Sequence, residues 1–204
     1  MIHVVDYGLG NIGAFLTLYD RLGISAKAVS DPAGLHDAER ILLPGVGAFD
    51  HAMALLDESG LRMALDEQVL ERKVPVLGVC VGMQIMSDGS DEGQRSGLGW
   101  IAGRTHAFES RHPPTPETPL PHMGWNDIEA TADRSLFAGL DDPRFYFLHS
   151  YFVEPDAAEH RAASSHYGFE FACAINRDNI WGVQFHPEKS HHFGAALLKN
   201  FSEL

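Results

Sequence analysis

The stretch VPVLGVCVGMQ, Val74–Gln84, decides the fold because it joins a short apolar strand to a helix through a glycine-flanked turn. Its first half has the length and apolar content of a buried strand, and a helix is predicted to begin over Gly82–Asp88. Cys80 lies at the tip of the turn, next but one to Gly78 on one side and Gly82 on the other. Small flanking residues let the backbone bend sharply and hold the side chain clear of the sheet, as a nucleophile requires.

This stretch alone leaves two interpretations of Cys80 open. A helix that begins beside the sulfur favours the thiolate, which is the reactive form. A lone cysteine after a core strand is more often a buried and inert side chain.

Apolar strands alternate with helical patterns through the first half of the chain. Strands are predicted at Ile2–Tyr7, Ala26–Ser30 and Arg40–Pro44, and helices at Asn11–Leu22 and within Ala48–Lys73. Such alternation indicates an α/β fold with a mostly parallel central sheet and helices on both faces. Ligands of such folds bind at the carboxyl ends of the strands, where Cys80 is predicted to lie.

The second half is richer in strands, and part of its sheet is expected to be antiparallel. The predicted elements are strands at Trp100–Glu109, Trp125–Ala130, Phe145–Val153, Arg161–Ser165, Phe169–Asn176 and Ile180–Phe185 and a closing helix at His191–Phe201. The proline-rich segment Arg111–Pro121 is predicted to be an extended surface loop, because proline removes backbone donors. No linker marks a second domain, so residues 1–204 are predicted to form a single domain.

A second candidate motif, NIWGVQFHPEKS at Asn179–Ser190, brings an apolar strand to His186, with Glu188 two residues later. Alternation along an extended segment puts both side chains on one side. The carboxylate can then hold one imidazole nitrogen while the other faces a nucleophile. On its own, His-Pro-Glu also fits a strand that ends in a solvated proline turn. Paired with a glycine-flanked cysteine, it predicts a Cys-His-Glu triad.

These motifs resemble those of the class I glutamine amidotransferases, whose triad runs in the order Cys, His, Glu. Within that class the chain is similar to the glutaminase subunits of imidazole glycerol phosphate synthases, in sequence blocks that span nearly its whole length. The blocks are DYGLGN (Asp6–Asn11), LPGVGAF (Leu43–Phe49), GVCVGMQ (Gly78–Gln84), PHMGWN (Pro121–Asn126), FYFLHSY (Phe145–Tyr151) and QFHPEKS (Gln184–Ser190).

The resemblance implies a role for each triad residue. Cys80 would attack the side-chain amide of glutamine, expel ammonia and leave a thioester that water hydrolyses to glutamate. His186 would move the protons, and Glu188 would fix its tautomer and balance its charge. Neither a metal nor an organic cofactor is implied.

The resemblance also implies an oxyanion hole, made by the backbone N–H of Val81 and by the glycine loop Gly45, Val46 and Gly47. From its residues alone, this loop also fits an ordinary tight turn or a phosphate cradle. Another glycine segment, Gly8–Asn11, lacks the third glycine of a dinucleotide fingerprint.

The amino-acid end of glutamine would be bound by Gln84, Glu92 and the Ser150–Tyr151 segment. Relatives usually carry an aromatic residue before the acids and serines of this region, whereas here Glu92 follows Ser87–Asp91, so its register is open. The alternative for Glu92 is a solvated acidic loop.

A dedicated glutaminase needs an acceptor for its ammonia. The resemblance therefore implies a heterodimer with a cyclase, which is a (β/α)8 barrel that receives ammonia and completes imidazole glycerol phosphate synthesis in histidine biosynthesis. Asn11, Trp125, Asn126 and Lys189 are the candidate contact residues. Trp125 would be an anchor, because large aromatic side chains dominate interface energetics, although a tryptophan that begins a strand is as often core.

Wasteful hydrolysis would be prevented if the oxyanion loop were completed only in the complex. Gly45 and Gly47 give that loop the freedom to rotate a peptide N–H toward the site. Low glutaminase activity is therefore predicted for the isolated chain.

Rival functions follow from other features of the sequence. His186, Glu188, His191 and His192 suggest a metal hydrolase, but the spacing His-Glu-x-x-His is absent. A non-catalytic interaction protein would be signalled by a damaged triad, and here all three members are present. A glutaminase of another synthase, such as that for anthranilate or pyridoxal phosphate, is disfavoured by PHMGWN and by the short chain.

Composition fits a cytoplasmic enzyme component. The chain has 204 residues, of which 45% are hydrophobic, and it contains two cysteines, so a disulfide framework is not expected. A formal net charge of −13 argues against a nucleic-acid partner, which would need clustered Lys and Arg. No targeting segment or membrane-spanning run is predicted.

Overall fold

The computed structural model describes residues 1–131 and 135–204, which form one eight-stranded sheet and two two-stranded sheets. The strands are β1 (Ile2–Val5), β2 (Ala26–Val29), β3 (Arg40–Gly45), β4 (Val76–Cys80), β5 (Gly103–Ala107), β6 (His122–Asp127), β7 (Glu129–Ala130), β8 (Arg144–His149), β9 (Tyr151–Pro155), β10 (Arg161–Tyr167), β11 (Phe169–Arg177) and β12 (Ile180–Val183). The helices are α1 (Ile12–Arg21), α2 (Phe49–Glu58), α3 (Leu61–Asp66), which continues as a π turn over Glu67–Glu71, α4 (Val81–Gln84) and α5 (His191–Glu203).

The large sheet has the strand order β2-β1-β3-β4-β12-β11-β10-β7. The strands from β2 through β12 in this order pair in parallel, and the remaining pairs are antiparallel. Nearly all residues of β1, β3, β4 and β12 are buried, as expected for parallel strands covered on both faces. The predicted α/β class, with a mostly parallel central sheet and an antiparallel part in the second half, is confirmed.

The connections place helices on both faces of the sheet. Because parallel crossovers are right-handed, connections that run in opposite directions lie on opposite faces. The connection through α1 runs from β1 outward to β2, whereas α2 and α3 lead from β3 in the other direction, to β4. Contacts agree with this arrangement, since α5 packs against α1 and α4 packs against α2.

The helix predicted over Gly82–Asp88 is shorter than expected, because α4 ends at Gln84. The carbonyls of Ile85 and Met86 accept hydrogen bonds from the backbone N–H groups of Leu98 and Trp100. A distant loop thus takes the acceptors that helix propagation would need.

The strand predicted over Phe145–Val153 is two strands. Ser150 separates β8, which pairs with β6, from β9, which pairs with β5. His149 and Ser150 interrupt the apolar pattern, but two polar residues do not by themselves show that the strand changes its pairing partner.

Two other strand starts also differ from the prediction. The strand predicted from Trp100 begins at Gly103, and the one predicted from Trp125 begins at His122, directly after a proline that cannot donate a ladder hydrogen bond. Segment Arg111–Pro121 contains no helix or strand, as predicted.

Among the described residues, no helix combines the length and the apolar character that crossing a bilayer would require.

Candidate active site

The carboxyl ends of β3 and β4 meet at Cys80. Gly45 and Cys80 are register partners, and each is the last residue of its strand. Cys80 has φ 56° and ψ −114°, a conformation that non-glycine residues rarely adopt. Such strain is typical of functional turns, and here it places the sulfur between the end of the sheet and the first turn of α4.

Three glycines allow this turn to press against the sheet. A Cβ atom at Gly82 would lie 1.9 Å from the carbonyl oxygen of Leu43, and one at Gly45 would lie 2.6 Å from the backbone nitrogen of Gly82. A Cβ atom at Gly78 would lie 2.6 Å from the Gly82 carbonyl oxygen. The glycines around Cys80 are therefore required by backbone-to-backbone contact.

His186 follows β12, the neighbour of β4 in the sheet, and is held by Glu188. The Nδ1 atom of His186 lies 2.9 Å from Oε1 of Glu188, and both side chains are buried. A carboxylate only accepts hydrogen bonds, so Nδ1 carries the proton and Nε2 is left for Cys80. The second carboxylate oxygen of Glu188 has no hydrogen-bond partner among the described residues.

The charge state of His186 follows from its two neighbours. Burial alone would lower the pKa of His186, but hydrogen bonds to Cys80 and Glu188 outweigh that effect and raise the pKa to about 9. The imidazole is therefore protonated at neutral pH. A buried imidazolium beside a thiol and a carboxylate can give a proton to a leaving nitrogen and take one back from water.

Gln184 is a site residue that the sequence analysis did not identify. Its side-chain nitrogen lies 3.8 Å from the sulfur of Cys80, and its oxygen accepts a hydrogen bond of 3.1 Å from Gln84. Both glutamines are buried. The alternation that puts His186 and Glu188 on one side includes Gln184, so the signal was present in the sequence.

A cavity of about 300 Å³ opens in front of the triad. It is lined by Val46, Gly47, Cys80, Val81, Gln84, Glu92, Pro121, Leu148, His149, Ser150, Tyr151, His186 and Lys189. Most predicted site residues are thus brought together in one wall. Gly45 and Glu188 lie behind that wall, the first under the Cys80 turn and the second behind His186. Pro121, Leu148 and His149 are additional lining residues.

Two backbone segments of the cavity can supply N–H donors. Val81 is the first residue of α4, and the first amide groups of a helix have no acceptor within it. The loop Gly45–Gly47 faces it, with Val46 40% exposed and Gly47 at φ 90°, a conformation suited to glycine.

Glu92 is partly fixed by the start of α2. Its Oε2 atom accepts a hydrogen bond of 2.8 Å from the Phe49 backbone N–H, and its own N–H donates to the Ser90 hydroxyl. Burial raises the pKa of Tyr151, and the carboxylate of Glu92 adds to that effect. Glu92 is therefore a half-buried carboxylate of the cavity wall rather than a member of a solvated loop.

The four predicted contact residues fall into different environments. Trp125 is 41% exposed and stacks on the ring of His191, and Lys189 lies at the cavity with its Nζ 5.9 Å from the ring centre of Tyr146. Asn11 is exposed and caps α1 through Ala14 N–H.

The side chain of Asn126 is half-buried and is bonded to its own chain. Its amide nitrogen donates 2.9 Å to the His166 carbonyl, on the opposite face of β6 from Trp125. The structure thus does not bring Asn126 together with Trp125 on one face.

The metal-hydrolase alternative rested on two further histidines. His191 is occupied by its stacking on Trp125, and His192 lies against Phe193. In residues 1–131 and 135–204, no group of three or more His, Cys, Asp or Glu side chains has the geometry to hold a metal ion.

The sequence is similar to that of known proteins over nearly its whole length. Residues 4–203 match the family model "Glutamine amidotransferase class-I". The chain is 54% identical to the imidazole glycerol phosphate synthase subunit HisH of Bdellovibrio bacteriovorus and 46% identical to that of Leptospira borgpetersenii, with all of each chain covered.

Solved structures share the fold at low sequence identity. A crystal structure of a glutamine amidotransferase aligns with a TM-score of 0.76 at 18% identity, covering 99% of this chain and 97% of the other. The structure of PurLQS from Thermotoga maritima aligns with a TM-score of 0.74 at 15% identity, covering 98% of this chain and 96% of the matched one.

Proposed function

The chain belongs to the class-I glutamine amidotransferase family, and we propose that it is the glutaminase subunit of an imidazole glycerol phosphate synthase. It hydrolyses glutamine to glutamate and supplies ammonia for imidazole glycerol phosphate formation in histidine biosynthesis. The observation that carries the proposal is the pairing of Cys80, on a strained strand-to-helix turn, with a buried His186 that Glu188 holds.

We assign the proton transfers to His186. The Cys80 thiolate attacks the side-chain amide carbon of glutamine, and the carbonyl electron pair moves to oxygen. When the tetrahedral intermediate collapses, the carbon–nitrogen bond breaks, the protonated His186 gives its Nε2 proton to the nitrogen, and ammonia leaves. His186 then takes a proton from water, whose oxygen attacks the thioester and releases glutamate and the thiolate.

The developing oxyanion would be stabilised by backbone donors. We propose the N–H of Val81 and an N–H of the Gly45–Gly47 loop, including Val46, because both segments border the cavity beside Cys80. One such donor is typically worth about 100- to 1000-fold in rate. The side-chain amide of Gln184 would donate a hydrogen bond to the Cys80 sulfur.

The amino-acid end of glutamine would lie against Gln84, Glu92 and Ser150–Tyr151, all of which line the cavity. The Glu92 carboxylate suits the α-ammonium group, since a half-buried carboxylate gains from a cationic partner. Its second task, holding the start of α2, fixes its position.

An exposed apolar patch at the cavity mouth supports the proposal that the chain binds a partner subunit. Met123, Trp125 and Leu148 project from the same face of the β6–β8 pair, in which Met123 is the register partner of Leu148. Val46 and Leu148 are both exposed, and both line the cavity, so the patch adjoins the site that releases ammonia. Exposed apolar surface of this kind marks an interaction site.

The partner subunit is therefore proposed to cover the mouth patch (Met123, Trp125, Leu148 and Val46). We propose that it is a (β/α)8-barrel cyclase that takes up the ammonia, forming a heterodimer. Asn11 and Lys189 would add polar contacts at the same end of the sheet, while Asn126 would support β6 from behind. Residues 1–204 would act as one domain, in a cytoplasm that keeps Cys80 reduced.

A trapped acyl-enzyme tests the proposed chemistry. The chain with its cognate cyclase is incubated with glutamine, denatured in acid and digested, and the mass of each cysteine peptide is measured. A glutamyl thioester is expected on Cys80. Cys173 is the internal control, because it is fully buried in β11 and burial raises the pKa of its thiol. Acylation of neither cysteine during active turnover would reject the nucleophile.

A further inference from the structure

Two buried histidines outside the triad lie opposite each other on neighbouring strands. His122 on β6 and His149 on β8 are register partners, and their exposed fractions are 3% and 5%. The glutaminase steps described above use neither of them. Buried polar rings need a structural or functional reason, because an unpaired ring nitrogen in the interior is costly.

A continuous row of hydrogen bonds connects both rings. His149 Nδ1 lies 2.7 Å from the carbonyl oxygen of Tyr151, and His149 Nε2 lies 2.9 Å from His122 Nδ1. His122 Nε2 lies 3.3 Å from the side-chain nitrogen of Asn126. We call this row, from Asn126 through His122 and His149 to the Tyr151 carbonyl, the histidine relay.

The chemistry of its ends fixes every proton of the relay. A carbonyl only accepts, so His149 carries its proton on Nδ1 and presents Nε2 as an acceptor. His122 must then donate from Nδ1, which leaves its Nε2 to accept from the Asn126 amide. Both rings are thus Nδ1–H tautomers, and each nitrogen is satisfied.

The surroundings keep both rings neutral. Burial lowers the pKa of His122 to about 4, and burial together with His122 lowers that of His149 to about 3. His122 is stacked between Phe147 and Tyr167, at centroid distances of 4.8 and 4.0 Å, and Phe108 meets His149 edge-on at 5.1 Å. The rings cannot reorient without breaking this packing.

The relay ends at the substrate wall. His149 itself lines the cavity, and its acceptor is the carbonyl of Tyr151, which lines the cavity next to Ser150. Ser150 is the break between β8 and β9, and its carbonyl accepts a hydrogen bond of 2.9 Å from the backbone N–H of Phe108, just after β5. The relay holds the next carbonyl, that of Tyr151, from the side of β6 and β8, so it ties the start of β9 to the strand pair that β9 itself does not join.

We infer that His122 and His149 are positioning residues that fix the Ser150–Tyr151 wall of the glutamine site to β6 through a neutral, tautomer-locked hydrogen-bond relay. The part of this inference that concerns glutamine rests on the proposed function. The relay ends on a backbone carbonyl, which does not carry protons onward, so its task is geometric and it takes no part in proton transfer.

Nitrogen-15 NMR of the histidine rings in the full chain tests the relay without reference to activity. His122 and His149, assigned by loss of their signals in His122→Asn and His149→Gln, are expected to be Nδ1–H tautomers at pH 7 and to show no titration between pH 5 and 8. An Nε2–H tautomer at either ring, or a midpoint near 6.5, would overturn the relay.

Kinetics in the complex with the cyclase test the positioning role. His122→Leu is expected to raise KM for glutamine about tenfold while kcat changes less than about threefold, because a buried donor is lost beside the wall and the triad is untouched. His122→Asn keeps a side-chain N–H near the Nδ1 position and is expected to restore most of the loss.

His166→Ala is the matched control, since His166 is exposed and meets Asn126 only through its backbone carbonyl. An unchanged KM in His122→Leu would overturn the positioning role. So would a fall in kcat as large as the rise in KM, if His122→Asn does not rescue it. If the wild-type complex did not hydrolyse glutamine at all, the proposed function would fail, while the tautomer measurement would still decide the relay.

Discussion

The triad keeps the buried imidazole of His186 positively charged at neutral pH. Glu188 and Cys80 together hold the pKa of His186 at about 9, above its value of about 6.5 in an unfolded chain. A group whose pKa is raised by folding contributes stability that is fully present below about pH 6.5. That contribution is lost as the pH rises through about 9.

The pH dependence of catalysis should therefore change when Glu188 is replaced. In the wild-type complex, kcat/KM for glutamine is expected to fall above about pH 9, as His186 loses the proton that the leaving nitrogen needs. In Glu188→Gln the fall is expected to begin at lower pH, because the charge that supports the imidazolium is gone. A pH profile of glutamate release with an unchanged upper limb would contradict the assigned pairing.

The glycines around Cys80 make a second residue-scale prediction. Gly82→Ala is expected to lower the free energy of unfolding by about 3 kcal/mol or more, because its Cβ would lie 1.9 Å from a backbone oxygen. Gly13→Ala is the control: Gly13 lies in α1 with no atom within 4 Å of the added Cβ, so stability is expected to rise by up to about 1 kcal/mol. Similar changes in the two denaturation midpoints would refute the close contact.

Sequence reasoning reached the triad because its motifs are local. Cys80 has flanking glycines, and His186 and Glu188 are two residues apart. It missed His122 and His149 as a pair, because their contact depends on the pairing of two strands that are distant in sequence. Gln184 was missed for another reason. Its position two residues before His186 was visible in the sequence, but its contact with the Cys80 sulfur was not.

At the scale of elements, the β6–β8 pair presents two different faces. Its outer face carries Met123, Trp125 and Leu148, while its inner face carries His122 and His149. The alternation of a strand produces this division, since neighbouring side chains point to opposite sides. The same short sheet can therefore meet a partner outside and hold the substrate wall inside.

Trp125→Ala is expected to weaken binding of the cyclase partner about tenfold or more and to leave the fold intact. The side chain is exposed and rests on His191, so its loss removes contact area without opening the core. The measurement is a titration of the partner by calorimetry. Met63→Ala is the matched control, because Met63 is 83% exposed on α3, apart from the mouth patch. Equal affinities of both variants would exclude Trp125 as an anchor.

Element boundaries show where local patterns stop being informative. The strand predicted over Phe145–Val153 divides at Ser150 because its two halves pair with different strands. The helix after Cys80 ends at Gln84 because a loop takes the next carbonyls. Both departures lie at the cavity and arise from tertiary hydrogen bonds.

At the scale of the whole molecule, the site is assembled from distant parts of the chain. The strand ends of β3, β4 and β12 bring Gly45, Cys80 and His186 together, and the α/β winding predicted this position for Cys80. The smaller sheets then close the cavity with Leu148 and Tyr151. The α/β winding could be predicted from the alternation of strand and helix patterns, whereas the placement of the two small sheets could not.

The loop that faces Cys80 connects this architecture to control by a partner. Val46 is exposed at the cavity mouth, between a glycine packed against the Cys80 turn and Gly47 with its positive φ. A partner that covers the mouth patch would contact this loop directly. Its peptide groups have the freedom to bring one N–H donor into the oxyanion hole on docking.

Steady-state release of glutamate from glutamine tests whether the chain is a glutaminase that its partner activates. It is measured for the purified chain alone and with its cognate cyclase and that enzyme's nucleotide ligand, with Cys80→Ala as the inactive control. We predict low activity alone and a rise of about 100-fold or more in the complex, the size expected when one oxyanion donor is brought into place. Full activity without the partner, no stimulation by it, or activity that survives in Cys80→Ala would contradict the account.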